Sequence, residues 1–149
     1  MGVVGLLTGF GVFGWCILLD VRYGSEQRLA TWWITQAHRW GGWTGPLSFL
    51  VSAAALTLYC LLAYVLVALA AAFDHPLVTL LCALPAMLLY APFALATMPS
   101  KYTSYSSWRA GLRSAGADKR DQRRIAWWAG PPSLLGLGAL VLTPVVILT

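Results

Sequence analysis

"PLSFLVSAAALTLYCLLAYVLVALAAAF", residues 46–73, runs for 28 residues without one Asp, Glu, Lys, Arg or His. As a helix rising 1.5 Å per residue it would measure about 42 Å, more than the ~30 Å hydrocarbon layer of a bilayer. A surface helix of a soluble domain keeps one polar face, whereas a helix apolar all round belongs in lipid or in a large core. In a chain of 149 residues, 59% hydrophobic and 10% charged, the membrane is the reading that fits.

On the C-terminal side, Asp74-His75-Pro76 is a turn signal, with proline suited to the first turn of a new helix. Residues 77–99 are again free of ionisable groups, so the two runs form an antiparallel hairpin, and Pro85 and Pro92 predict bends in its second arm. Residues 2–19 and 131–149 are the remaining apolar runs, with Gly130-Pro131-Pro132 expected to break the chain just before the last helix. The first run lacks a preceding basic residue and a small-residue cleavage site, and Asp20 and Arg22 follow it, so it reads as a retained helix. The expected fold is all-α: one integral domain over residues 1–149, a polytopic membrane protein with four transmembrane helices (2–19, 46–73, 77–99, 131–149).

Four crossings put the segments 20–45 and 100–130 on the same side. All ten Lys and Arg residues then fall there, seven of them in the second segment. Because short loops retain Lys and Arg on the cytoplasmic side, both loops are expected in the cytoplasm and both termini outside. All eight tryptophans lie in or beside the same loops, where an indole can bury its ring and keep its N–H among headgroups. A composition rich in Ala, Gly, Leu and Arg and without Asn points to a GC-rich bacterial genome, hence to the bacterial inner membrane.

Each loop carries a helical pattern. In the first, Leu29, Trp33, Ala37 and Trp40 recur on one face, flanked by Ala30, Trp32 and Ile34 and interrupted by Gln36. Ser25 is placed to cap this helix, Gly41-Gly42 to end it, and its tryptophans are expected among headgroups as an interfacial amphipathic helix. In the second, Tyr102, Tyr105, Trp108 and Leu112 precede Gly116, and Asp118 can cap a second short helix bearing Lys119, Arg120, Arg123 and Arg124, a basic helical hairpin. That segment is too short to bury a core of its own, which with its tethering by two membrane helices disfavours nucleic acid as a partner.

The inventory of reactive groups is sparse. The four apolar runs contain no ionisable acid or base of the kind that marks proton or ion paths. His38 and His75 fall on opposite sides of the membrane, and Cys16, Cys60 and Cys82 lie singly in apolar runs, so no metal and no cofactor is expected. Clusters of four to eight Lys or Arg beside a membrane read as anionic-lipid recognition. The expected lipid- or partner-binding residues are Arg109, Arg113, Lys119, Arg120, Arg123 and Arg124 with Trp32, Trp33, Trp40, Trp108, Trp127 and Trp128. Gly2, Gly5 and Gly9 form a small-residue seam for helix packing, expected to meet a neighbour within the chain. These features predict a noncatalytic membrane subunit or scaffold that holds anionic lipid or protein at its basic face and packs on a membrane protein partner or on itself. Two alternatives are an oligomeric channel or uniporter, and a lipid-modifying enzyme in which Asp20, Arg22 and Tyr23 address a phosphate.

Overall fold

The computed structural model describes residues 2–73, 75–97 and 104–148, with the side chains of residues 26, 71 and 104–108 outside the description. Among the described residues every regular element is a helix and none is a strand: α1 (Gly2–Tyr23), α2 (Ser25–Trp40), α3 (Thr44–Ala70), α4 (Pro76–Ala96), α5 (Ser104–Ser114) and α6 (Lys119–Leu148), with short 3-10 turns at Gly41–Trp43 and Ala71–Phe73. Four helical stretches are long and apolar enough to cross a membrane: α1, the run from α2 into α3, α4, and α6.

The helices build two cores. In the first, α3, α4 and α6 pack around Tyr59, Ala63, Ala86, Met87, Tyr90, Ala91, Ala94 and Leu140, with Val12 the one buried contribution from α1. Tyr59 stacks on Tyr90 with ring centroids 4.8 Å apart, and its hydroxyl lies 2.6 Å from Thr143 Oγ1 on α6. Nearer the charged end, Thr97 Oγ1 and Ser133 Oγ are 2.6 Å apart and fully buried, tying the end of α4 to α6. Apolar surroundings give such hydroxyls no water to turn to, so they pair across helices or with their own backbone.

The second core lies where the two charged segments meet. Ala30, Trp33, Ile34 and Ala37 of α2 close on Leu112 of α5, on Ala117, and on Ile125 and Ala126 of α6. The basic segment, too short for a core of its own, pools its apolar residues with those of α2. One expectation is corrected: Trp33, expected among headgroups, is 0% exposed inside the protein. The stripe on α2 has the expected period, but its partner is α5 and α6.

Turn chemistry fixes this cap. Gly24 takes a left-handed conformation, φ 58°, joining α1 to α2 through bonds from its N–H to the Asp20 carbonyl and from the Arg28 N–H to its own carbonyl. Gly24, not Ser25, therefore holds the cap position, and the Ser25 hydroxyl donates to Asp20 Oδ1 at 3.4 Å. At the end of α5, Gly116 has φ 100°, the Ala117 N–H reaches the Leu112 carbonyl and the Gly116 N–H that of Arg113. This is the Schellman arrangement, completed by the contact of Ala117 with Leu112 in the core. Asp118 then caps α6, accepting from the Asp121 N–H at 2.7 Å.

α6 belongs to both cores. The break expected at Gly130-Pro131-Pro132 does not occur: the helix runs for 30 residues through Pro131, Pro132 and Pro144. An interior proline loses an N–H bond and crowds the preceding turn. Here Ala129, Gly130, Pro132, Ser133 and Gly136 are all buried against the neighbouring helices, and an unwound backbone in that setting would leave polar groups unsatisfied. Packing outweighs the local preference.

A similar proline effect positions α1. Pro92 has no N–H to offer the Leu88 carbonyl four residues earlier, and the Trp15 indole N–H donates to that oxygen instead, at 3.2 Å. Trp15 is thus satisfied by α4, not by headgroups as its place in the sequence suggested. Trp15→Phe is expected to cost about 0.5–1.5 kcal/mol and to speed amide exchange in α1 alone. Adding Pro92→Ala, which returns a backbone donor to Leu88, is expected to make Trp15→Phe nearly neutral; exchange unaltered by either change would deny the bond its role.

Candidate functional site: a basic and aromatic cleft

Arg123, Arg124, Trp127 and Trp128 follow a three-to-four spacing and share one side of α6, while Gln122, Ile125, Ala126 and Ala129 turn inward. The tight turn at Gly116 folds α5 back beside them and brings up Arg109. Together Arg109, Arg123, Arg124, Trp127 and Trp128 line a cleft of about 420 Å³. Among the described residues its wall holds three guanidinium groups and no carboxylate. Guanidinium is a planar fork of donors that stays charged at any ordinary pH, suited to phosphate oxygens.

The two indoles have different settings. Trp127 projects outward, 79% exposed. Trp128 is seated on the start of α3: a Cβ on Gly45 would lie 2.6 Å from its Cδ1, and its ring meets Phe49 edge-on with centroids 6.4 Å apart. Gly45 and Phe49 escaped sequence reasoning, because nothing local marks them as neighbours of residue 128.

The remaining candidates disperse. Arg113, Lys119 and Arg120 are exposed but do not line the cleft, and neither do Trp32 and Trp40, which are exposed on α2. Trp33 is buried as described, and the side chain of Trp108 lies outside the described residues, as do Lys101 and Asp74. Of the triad considered for lipid chemistry, Arg22 sits over the Tyr23 ring at 5.9 Å and Asp20 accepts from Ser25, so the three are engaged locally at the α1–α2 junction. His38 is exposed on α2 and His75 precedes the first turn of α4.

The glycine seam of α1 is only loosely occupied. Gly2 starts the helix; a Cβ on Gly5 would touch Leu148 at 3.8 Å, and one on Gly9 would meet nothing within 4 Å. Gly5 and Gly9 instead line an apolar groove of about 630 Å³ between α1, α4 and α6, together with residues such as Phe13, Met87, Leu140 and Leu148. The close intrachain contact expected at this seam is therefore absent at Gly9. Two other glycines carry the tight approaches: Gly45 under Trp128, and Gly136, where an added Cβ would collide with the Tyr90 hydroxyl.

Comparison with known proteins finds no family model, curated protein or solved structure that matches this chain.

Proposed function

We propose that this protein is a noncatalytic small subunit or scaffold of a bacterial inner membrane, which holds anionic lipid at the Arg109–Arg123–Arg124 cleft and packs on a membrane partner along α1. In this reading α1, α3, α4 and α6 cross the bilayer, the cap of α2 and α5 faces the cytoplasm with α2 at the interface, and both termini lie outside. The segregation of all ten Lys and Arg residues to the sequence segments 20–45 and 100–130 supports that orientation. The cleft carries the lipid reading: cationic donors converge beside two indoles at the end of an apolar bundle, where headgroup phosphates lie. The open groove beside Gly5 and Gly9, with an α1 that is largely exposed, supports a membrane partner.

The test is flotation of the purified protein, held in neutral-lipid discs, with anionic vesicles. Each basic residue near a negative leaflet contributes about 1 kcal/mol, and about 1.4 kcal/mol is tenfold. Replacing Arg109, Arg123 and Arg124 together with Gln is expected to weaken association roughly a hundredfold. It should also flatten the salt dependence. The exposed pair Lys119 and Arg120, changed to Gln, should cost less per charge removed than the cleft set. Equal losses per charge removed would assign the attraction to net surface charge and remove the cleft from the argument.

A further inference from the structure

Resting on the reading that α1, α3, α4 and α6 cross a bilayer, we infer that the tip of the α3–α4 hairpin is a lipid-facing collar standing about 10 Å above an ordinary hydrocarbon layer, and that it gathers long-chain lipid around itself. The observation that carries this is the register of the helices. Trp128 of α6 sits on Gly45 of α3, and Thr143 Oγ1 of α6 lies 2.6 Å from the Tyr59 hydroxyl of α3. The second contact is fifteen residues beyond the first on α6 and fourteen beyond it on α3, so the two helices climb together and α3 does not shorten its span by leaning away from the bundle. In this reading Trp127 and Trp128 mark the cytoplasmic headgroup level. Measured from Gly45 at 1.5 Å per residue, about 30 Å of hydrocarbon ends near Val65, while the apolar run continues through Phe73, at about 42 Å.

The returning arm gives the same height independently. Thr97, at the end of α4, meets Ser133, which is five residues beyond Trp128 and so about 7–8 Å above its level. The rise from Thr97 back to Pro76 adds about 31 Å, which puts the start of α4 at about 39 Å. Ala70 and Leu80 are buried, so the hairpin stays packed to its tip and cannot fold down to hide its outer side. What covers that side follows from the surface it continues. Leu58, Leu61, Val65, Leu69 and Phe73 recur at three-to-four spacing as one exposed stripe, with Leu69 and Phe73 still 67% and 66% exposed at the tip. The acyl chains that cover Leu58 and Leu61 are therefore the fitting occupant of the tip as well. A bilayer meets an overlong apolar surface by thickening around it, and longer chains reach that thickness without stretching.

The experiment uses the full chain with Cys16, Cys60 and Cys82 replaced by alanine. A bimane label is carried either by Ala72→Cys, an exposed tip position, or by Leu61→Cys, lower on the stripe. Each protein is reconstituted in equal mixtures of dierucoyl and dimyristoleoyl phosphatidylcholine, a long-chain and a short-chain neutral lipid, with a nitroxide quencher near the ester end of one or the other. At position 72 the long-chain lipid is expected to quench at least about threefold more than the short-chain lipid. Leu69→Gln with Phe73→Gln, both at exposed positions, is expected to bring the two lipids level. Quenching of the tip label by aqueous iodide and by neither lipid would overturn the proposal, since the headgroups would then lie near Tyr64 and the tip in water. Equal quenching by the two lipids would overturn it in favour of a tilted bundle, and a preference unchanged in the Gln variant would assign the attraction to another part of the protein. In each of these cases lipid quenching at position 61 would leave the bilayer reading standing. Its absence there would overturn that reading too.

Discussion

Trp33→Ala is expected to unfold the cap formed by α2, α5 and the first turns of α6 while the bundle of α3, α4 and α6 stays folded. Trp33 is fully buried, the largest such side chain among the described residues, and it sits among Ala30, Ile34, Leu112, Ala117 and Ile125. Removing a buried indole costs roughly 3–5 kcal/mol, combining lost burial with the cavity left behind. Among the described residues no other buried side chain in the cap is as large, so this loss approaches the stability such a small unit can hold. The bundle core around Tyr59, Tyr90 and Leu140 shares none of these residues.

Hydrogen exchange read by mass spectrometry distinguishes the outcomes. Protection should fall in peptides covering residues 25–40 and 109–126 and persist in those covering 50–70 and 80–96. Uniform loss would mean that the two cores unfold as one unit, and no loss would mean that the cap does not depend on Trp33. Trp32→Ala is the control, since Trp32 is 44% exposed and only edges against Trp33. Trp33→Phe should be tolerated at under about 1.5 kcal/mol. The buried Trp33 indole N–H has no hydrogen-bond partner among the described residues, so phenylalanine removes an unsatisfied donor along with some volume. With the cap unfolded, Arg109 is no longer held opposite Arg123 and Arg124, so Trp33→Ala should also weaken lipid binding though it touches no lipid.

Gly136→Ala carries the second large effect. Its new methyl would collide with the Tyr90 hydroxyl and lie 2.7 and 2.8 Å from two ring carbons of the same side chain. Tyr90 has little room to withdraw, because it is stacked on Tyr59, itself bonded to Thr143. Overpacking of this kind costs about 1–3 kcal/mol. Gly138→Ala, two residues away, meets nothing within 4 Å and should be neutral or stabilising by up to about 1 kcal/mol through helix propensity. The comparison is therefore between two identical chemical changes on one helix, with opposite signs expected.

Tyr90→Phe sharpens the comparison. The Tyr90 hydroxyl is buried with no partner among the described residues, so its removal alone should cost little. Combined with Gly136→Ala it removes the nearest clashing atom and leaves the ring contacts, so the double variant should recover part of the lost stability. Unfolding in mixed micelles, followed by circular dichroism, measures all four proteins. Additive costs would show that residues 90 and 136 do not meet, and would misplace the α4–α6 contact.

Several parts of this arrangement were legible in the residues. The four apolar runs appear as helices long enough to span a membrane, and the stripe on α2 has the period on which the buried face is built. Arg123, Arg124, Trp127 and Trp128 share a side of α6 because helical spacing puts them there, which brought much of the cleft within reach of sequence reasoning. Arg109 was recognised as a candidate but not as their neighbour, since its approach depends on how the chain turns at Gly116.

The sequence by itself determined the positions of the apolar runs, the segregation of charge and the buried face of α2, all of which follow from composition and from the 3.6-residue period of a single helix. Only the tertiary structure decided what covers Trp33, whether α6 continues through Pro131 and Pro132, and which glycines must stay small. Gly5 and Gly9 carry the recognisable spacing, yet Gly136 and Gly45 receive the close approaches, from Tyr90 and Trp128. The donor to the Leu88 carbonyl, likewise, is Trp15, more than seventy residues away. Such outcomes depend on the size and direction of side chains brought together from distant parts of the chain, and in an apolar interior that packing, with the demand that each backbone polar group find a partner, overrides local preference.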